Sequence, residues 1–326
     1  MRRAGVLAVS AALAVGAAGA ATQGDVLQGL WTAERSRWKV DKGGTATIVQ
    51  LSMRRSSTGH KWDSSFPVPR TELEGLTDAQ LDAADAEARF TWKRDAGTFA
   101  FEGRFRKGDG AGHFTFSPSR EYQADMKRRG YGTLDDEETL SLAVHDVSRA
   151  FIDELAGLGY TKLKLDDLRS LRIHGATPEY IRGLASLGYK QLPVDNIVSF
   201  RIHGASIDYI REMQALGFGG IPADDLVSFR IHGVSPEYVR SFKTQGYDRL
   251  TADQLVSMRI HGVTPEFVKD LKGLGYASVS VDDLVTMRIH GVTTDFIKRV
   301  QGRQGKTVAV DRLVSMRIHG QDKELE

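Results

Sequence analysis

The sequence predicts an α+β protein with two domains, a small antiparallel β domain followed by an α-helical repeat solenoid. Two observations predict this fold class. Between positions 90 and 116, aromatic residues alternate with polar or small residues, which is typical of strands with one buried face. The tetrapeptide Arg-Ile-His-Gly then occurs six times, each copy 29 residues after the last, which indicates a tandem array of one structural unit.

Residues 1–20 have the composition of a secretory signal peptide. Arg2 and Arg3 precede an uncharged stretch that ends in Ala18-Gly19-Ala20, a small-x-small cleavage pattern. The stretch is short and rich in alanine and glycine, which does not suit a membrane span. We therefore expect a periplasmic or secreted protein with no membrane insertion after the signal is removed.

The composition excludes several classes of function. The chain has no cysteine, so it has no disulfide, no thiol nucleophile, no thiolate metal site and no cysteine for lipid attachment. Without Arg2 and Arg3, the 44 basic residues become 42, which equals the number of acidic residues. A formally neutral mature chain argues against a nucleic-acid partner, because such binding needs a surplus of Lys and Arg on one face.

Residues 24–118 are predicted to form the β domain. Strands are expected around Phe90–Trp92, Phe99–Phe105 and Phe114–Phe116, with a further strand at Thr45 to Met53. Turns are expected at 95–97 and 107–112, where glycine and aspartate cluster. Thr77 and Gln80 have the spacing of a capping box, which predicts a helix that reaches about Ala88.

Seven repeats of 29 residues fill 119–321, and a polar tail follows at 322–326. Each repeat is predicted to hold two short helices. The first helix opens with a Ser or Thr N-cap, followed in three copies by Pro and Glu, as in Thr264-Pro265-Glu266. The predicted N-caps are Ser119, Ser148, Thr177, Ser206, Ser235, Thr264 and Thr293.

The second helix of each repeat is predicted to begin near Ser280 and to end on Arg288, His290 and Gly291. In this copy it runs through Leu284, Val285, Met287 and Ile289. An alternative is a leucine-rich-repeat-like α/β solenoid, because Leu255-x-x-Met258-x-Ile260 also fits the strand of such a repeat. That family's turn-supporting Asn or Cys is replaced by Val263. The two-helix repeat is therefore favoured.

Two columns of the motif are candidates for a binding face along the repeats. The arginines suit carboxylate or sugar ligands that bind in a groove. They also suit pairing with Asp167, Asp225 or Asp283, and this pairing is the favoured interpretation. The histidines suggest a metal ladder, but stacked helices lie about 8 to 10 Å apart, so a role at the helix C-terminus is favoured. The candidate residues are Arg172, Arg201, Arg230, Arg259, Arg288 and Arg317, and His174, His203, His232, His261, His290 and His319, with His145 in a worn first copy.

The repeat resembles a unit found in bacterial extracytoplasmic proteins. The carrying residues are Gly262-Val263-Thr264-Pro265-Glu266-Phe267-Val268, a later Gly-Tyr, and Asp-Asp-Leu-Val before Arg-Ile-His-Gly. Similar units are appended to some zinc metallopeptidases of the β-lactam-sensor type. Their catalytic His-Glu-x-x-His motif is absent from this sequence, so the resemblance implies no catalytic residue and only an extracytoplasmic interaction or sensing module.

The sequence therefore predicts a non-catalytic exported scaffold for a protein or peptide partner, with no cofactor and no metal. An alternative is a small-molecule-binding protein or hydrolase centred on the β domain, with the repeats as a docking arm. The aromatic column after each first helix is expected to serve packing between repeats. That column is Tyr160, Tyr189, Phe218, Tyr247 and Tyr276.

The polar residues that could form a hydrolytic or metal site in the β domain are His60, Asp63, Asp95, Glu102, Asp109 and His113. Their spacing is not specific for such a site.

Overall fold

The computed structural model describes residues 27–40, 44–57 and 60–320, so the predicted signal peptide and polar tail lie outside the described residues. The chain divides into two compact regions, 1–146 and 147–326. The first, here called the sheet region, holds all the strands of the described residues together with three α-helices and a 3₁₀-helix at Arg70–Glu72. The second, the helical region, holds twelve α-helices within its described part. The α+β class is confirmed.

The sheet region contains one seven-stranded antiparallel sheet. Its strands are β1 (Leu27–Val40), β2 (Gly44–Ser57), β3 (His60–Pro69), β4 (Leu73–Glu74), β5 (Ala86–Arg94), β6 (Gly97–Arg106) and β7 (Asp109–Pro118). Their order across the sheet is β3-β2-β1-β7-β6-β5-β4. The predicted strands correspond to β2, β5, β6 and β7, whereas β1, β3 and β4 were not predicted.

Aromatic rings fill the core against this sheet. Trp31 of β1 meets Phe90 edge to face with ring centroids 5.3 Å apart, and Phe90 stacks on Phe101 at 4.7 Å. The indole Nε1 of Trp31 donates hydrogen bonds to the carbonyl oxygens of Glu102 and His113, at 3.2 and 3.1 Å. Trp31 therefore joins β1 to β6 and β7 through hydrogen bonds as well as through packing.

The predicted helix from Thr77 to Ala88 is wrong in its length. The capping box at Thr77 is present, but α1 (Asp78–Asp82) ends at Asp82. Ala86–Ala88 begins β5 instead, where Ala88 pairs with Gly103 of β6. The pairing partner is far along the chain, and such tertiary pairing overrides local helix propensity.

The predicted turn over 107–112 is also too long, because only Lys107 and Gly108 separate β6 from β7. Gly110 and Gly112 are strand residues whose missing side chains make room for rings on neighbouring strands. A Cβ at Gly110 would lie 2.5 Å from the ring of Phe105, and one at Gly112 would lie 2.8 Å from Nε1 of Trp31. Glycine marks close packing here rather than a turn.

Seven pairs of helices follow, one pair for each repeat. The first helices are α2 (Arg120–Arg128), α4 (Arg149–Gly157), α6 (Pro178–Ser186), α8 (Ile207–Met213), α10 (Pro236–Lys243), α12 (Pro265–Gly273) and α14 (Thr294–Gln304). The second helices are α3 (Asp136–Val144), α5 (Leu165–Ile173), α7 (Val194–Ile202), α9 (Ala223–Ile231), α11 (Ala252–Ile260), α13 (Val281–Ile289) and α15 (Val310–Ile318).

The predicted helix signals are confirmed. Each Ser or Thr N-cap of a first helix accepts a hydrogen bond from the backbone N–H three residues later. Ser280 caps α13 in the same way, and Gly291 beyond its end has a φ of +68°. The stretch Leu255–Ile260, which the leucine-rich-repeat alternative assigned to a strand, lies in α11.

Within the helical region, equivalent helices of successive repeats contact each other. The second helices α5, α7, α9, α11, α13 and α15 contact one another in that order, and so do the first helices from α4 to α14. Each second helix buries two or three apolar side chains, as Leu255 and Met258 do in α11, while the first helix α12 buries Phe267, Val268 and Leu271. One short helix therefore completes its burial only against its neighbours.

Candidate functional site

The motif Arg-Ile-His-Gly lies at the end of each second helix, and its arginine forms a contact between repeats. Arg230 Nε donates a hydrogen bond of 3.0 Å to the carbonyl oxygen of His203, in the preceding repeat. Its guanidinium lies over the ring of Tyr209, 4.7 Å from the centroid, where the negative face of the ring attracts the cation. We call this pair of contacts the arginine clamp.

The same clamp recurs along the array. Arg201 and Arg259 repeat both contacts, with hydrogen bonds of 3.2 and 3.3 Å to the carbonyl oxygens of His174 and His232. The arginine–ring distances are 5.1 Å for Arg172–Phe151, 4.9 Å for Arg201–Tyr180, 4.6 Å for Arg259–Tyr238, 5.1 Å for Arg288–Phe267 and 5.2 Å for Arg317–Phe296.

The favoured pairing of these arginines with Asp167, Asp225 or Asp283 is wrong for four of the six arginines. Within 27–40, 44–57 and 60–320, no ion pair joins an aspartate to Arg201, Arg230, Arg259 or Arg288. In Arg201, Arg230 and Arg259 the carbonyl holds Nε and the ring covers one face of the guanidinium, whereas Arg288 keeps only the ring contact. These contacts give the arginines a structural role, and the remaining N–H groups of the guanidinium stay available to a carboxylate.

The glycine of the motif is also explained by the fold. Gly233 has a φ of +70°, which disfavours any residue with a Cβ. A Cβ at this position would lie 2.8 Å from Nη2 of Arg259, so the clamp of the next repeat also needs the space. Asp146 takes the position of this glycine in the degenerate first copy of the motif, with a φ of +53°.

Tyrosine hydroxyls make a second set of contacts between repeats. Tyr160, Tyr189, Tyr247 and Tyr276 each donate a hydrogen bond to a carbonyl oxygen 32 residues later, at 2.6 to 2.9 Å. The predicted packing role of this column is confirmed.

The rings beneath the clamp make similar hydrogen bonds within their own repeats. Tyr180, Tyr209 and Tyr238 donate to the carbonyl oxygens of residues 25 positions later, at 2.6 to 2.8 Å. Burial raises the pKa of Tyr180 to about 12, although the nearby charge of Arg201 acts in the opposite direction. These phenols are structural donors rather than acids that titrate at neutral pH.

The isoleucine of the motif has no comparable role, because its side chain is exposed in every repeat of the helical region. We call these residues the isoleucine row: Ile173, Ile202, Ile231, Ile260, Ile289 and Ile318. Their exposed fractions lie between 54% and 57%, whereas the leucine and the aromatic residue or methionine of the same helices are almost fully buried. Ile289 lies in the second helix as predicted, but it is exposed whereas Leu284 and Met287 of the same helix are buried.

The histidines lie beside the isoleucines and form the histidine row, which is His174, His203, His232, His261, His290 and His319. Each ends its second helix, and its backbone N–H bonds to the carbonyl four residues earlier. The backbone position agrees with the predicted role at the helix C-terminus. In the described part of the chain, no hydrogen bond or ion pair involves these six imidazoles, and four of them, from His232 onward, are exposed. His145 of the sheet region differs, since its ring lies 6.4 Å from that of Phe66.

Over the described ranges, no three His, Asp or Glu side chains come together as a metal-binding group. The polar candidates of the β domain are not gathered into one cluster: Asp63 pairs with Arg54 at 2.9 Å, and Glu102 pairs with Arg89 at 3.7 Å. Among the helices of the described residues, none has the length and hydropathy to cross a bilayer.

Comparison with protein-family models and with curated proteins returns no match for this chain. The resemblance of its repeat to units of extracytoplasmic proteins therefore stays a prediction. The candidate site consists of the isoleucine and histidine rows, which lie side by side in the sequence of each repeat. Sequence periodicity identified the histidines as candidate site residues and missed the isoleucines. An apolar residue near the end of a short helix is expected to be buried, so it is not chosen as a binding residue.

Proposed function

We propose that the chain is a non-catalytic repeat scaffold that binds a protein or peptide partner through the isoleucine and histidine rows. One observation carries the proposal. Six equivalent isoleucines are each more than half exposed, although the arginine before each of them packs on a ring of the fold and the glycine two positions after it is needed by the backbone. We infer from their regular period that these side chains form one row, and exposed apolar patches typically mark interaction sites.

Contacts between equivalent helices support a solenoid arrangement for this scaffold. Successive second helices contact each other, and so do successive first helices. Because the hydrogen bonds of Arg201, Arg230 and Arg259 join three successive repeats to the ones before them, we infer that the repeats stack in register and present the two rows as one extended surface.

The energetics of this surface suit a partner with apolar side chains. Covering the exposed half of one isoleucine contributes roughly 1 kcal/mol, so the full row contributes several kcal/mol before the entropy of association is subtracted. Imidazoles beside the row can donate or accept hydrogen bonds, which gives orientation to an otherwise apolar contact. We place this binding outside the cytoplasm, on the strength of the predicted signal peptide.

The test is affinity capture from an envelope extract with the purified chain as bait. Three baits are compared: the wild type, the Ile231→Ser/Ile260→Ser variant, and the Leu30→Ser variant. Leu30 is the matched control, because its exposed fraction of 53% is close to that of the isoleucines while it lies in the sheet region. We expect a protein that the wild type and Leu30→Ser retain and the double variant loses. Identical recovery by all three baits would contradict the proposal.

A further inference from the structure

The exposed side of each second helix carries charge at one end and the isoleucine at the other. In α11, Asp253, Val256, Ser257 and Ile260 follow the i, i+3, i+4, i+7 spacing that places residues on one side of a helix. Asp253 and Ile260 are exposed, and the two residues between them are partly exposed. The equivalent aspartates are all exposed and are called the acidic row: Asp166, Asp195, Asp224, Asp253, Asp282 and Asp311.

The opposite end of the same side is basic. His261 follows Ile260, and the guanidinium of Arg259 stays charged within its clamp. The acidic and basic ends of this side of the helix lie about 10 Å apart, which is the length of seven residues of helix. The second helices α7, α9, α11, α13 and α15 each begin with an exposed aspartate, continue with valine and serine or threonine, and end with an arginine and an exposed isoleucine. In α5 the middle position is Arg169, which pairs with Asp166.

A groove lies between α9 and α11 on this side. It is lined by Ser228, Val256, Ser257 and Ile260, with Asp253 and His261 also at its wall. The rest of the lining is Asp225, Ala252 and Phe229, so the groove combines apolar side chains with two carboxylates and an imidazole. Because the isoleucines recur once per repeat, the row of a second copy has the same period as the second helices that bound this groove.

We infer that the partner on this surface is a second copy of the chain, related by a twofold axis that sets the second helices of the two copies antiparallel. In that arrangement, the acidic row of each copy lies opposite the arginine and histidine ends of the other, and each isoleucine row enters the other copy's grooves. The inference rests on the proposed function, since it names the partner of the same surface.

Charge and period together favour a second copy over other occupants. A nucleic acid or an anionic membrane would meet the acidic row and be repelled by it, whereas a second copy meets a complement at both ends. A twofold contact is also self-complementary by construction, because every residue that it uses is used twice. Six repeats with five positions each reach the roughly 20–30 residues a side of a specific interface.

The first test measures the mass of the purified chain by sedimentation over a range of concentrations. The wild type and Leu30→Ser are expected to form a dimer with the same dissociation constant. In Ile231→Ser/Ile260→Ser, four isoleucines leave the interface, which is expected to raise that constant by roughly a hundredfold or more. Far-UV circular dichroism confirms that the exposed substitutions leave the helices intact.

The second test exchanges the charges. One variant carries Asp224→Lys, Asp253→Lys and Asp282→Lys, and the other carries His232→Asp, His261→Asp and His290→Asp. Each alone brings like charges together and is expected to be monomeric, whereas an equimolar mixture is expected to form a heterodimer. A wild type that stays monomeric at every concentration, or a mixture that does not associate, would overturn the inference. The scaffold proposal would survive if the double serine variant still lost a different captured protein.

Discussion

The sheet region and the helical region use their apolar side chains differently. In the sheet region, a single cluster of rings around Trp31, Phe90 and Phe101 is buried, and Leu30 is its one strongly exposed large hydrophobic residue among those described. In the helical region, burial is divided into similar small contacts, yet one isoleucine per repeat is left exposed. The difference shows that the exposed isoleucines are not the remainder of a poorly filled core.

The largest expected effect is on the ring cluster. Trp31→Ala removes a side chain that is 1% exposed together with its two hydrogen bonds, so we expect a loss of about 3–5 kcal/mol in the free energy of unfolding of the sheet region. Urea unfolding followed by tryptophan fluorescence measures this, because all four tryptophans of the chain precede residue 119. Leu30→Ala, one residue away and exposed, is expected to change the value by less than about 0.5 kcal/mol.

The next effect concerns the phenols beneath the clamp. Tyr209→Phe leaves the carbonyl oxygen of Val234 without its 2.8 Å hydrogen bond, and we expect a loss of about 1–2 kcal/mol at neutral pH. Burial raises the pKa of Tyr209 above its ordinary value of 10.0.

The sign of the pH dependence follows from that shift. The unfolded phenol ionises near pH 10.0 while the folded one does not, so the stability that Tyr209 provides is complete below that pH and is lost as the pH rises above it. Chemical unfolding at pH 8 to 12, followed by circular dichroism at 222 nm, should show the gap between wild type and variant narrowing. A gap that widened with pH would contradict this account.

A smaller effect is expected from the clamp itself. Arg230→Lys removes the Nε donor and the planar group over Tyr209, and we expect a loss of about 1 kcal/mol although the charge is retained. Arg249→Lys is the control, because Arg249 is exposed and forms no clamp. Equal stability of the two variants in thermal unfolding would show that the clamp contributes nothing.

The smallest effect is the one that separates binding from folding. Ile231→Ser is expected to change the free energy of unfolding by less than about 0.5 kcal/mol, since the side chain is 54% exposed. Phe229→Ala, two positions earlier in the same helix and fully buried, is expected to cost about 3–5 kcal/mol. A comparable loss in both variants would assign the isoleucine row to the core and remove the basis of the proposed function.

The sequence predicted the features that depend on local chemistry. N-caps such as Thr264 and the left-handed glycines Gly275 and Gly291 are recognisable because their hydrogen bonds and dihedral angles involve residues a few positions away. The two-helix repeat followed from them.

Features that depend on distant residues were predicted less well. Ala88 pairs with Gly103, and Gly112 accommodates Trp31 from a strand that was not predicted. The same reason explains the candidate site. The role of Arg230 depends on a carbonyl 27 residues earlier, and the exposure of Ile231 depends on which side of its helix the neighbouring repeats cover.

The arginine clamp has a consequence for how the length of the array can change. Arg230 reaches back one period to the carbonyl of His203, and Arg259 reaches back one period to that of His232. Excision of the 29 residues 205–233 would place Val234 directly after Gly204, so Arg259 would meet the carbonyl of His203 and recreate an equivalent junction. The gain or loss of a whole 29-residue repeat therefore leaves the clamp at the junction intact. It changes the number of isoleucines on the surface without the substitution of any residue.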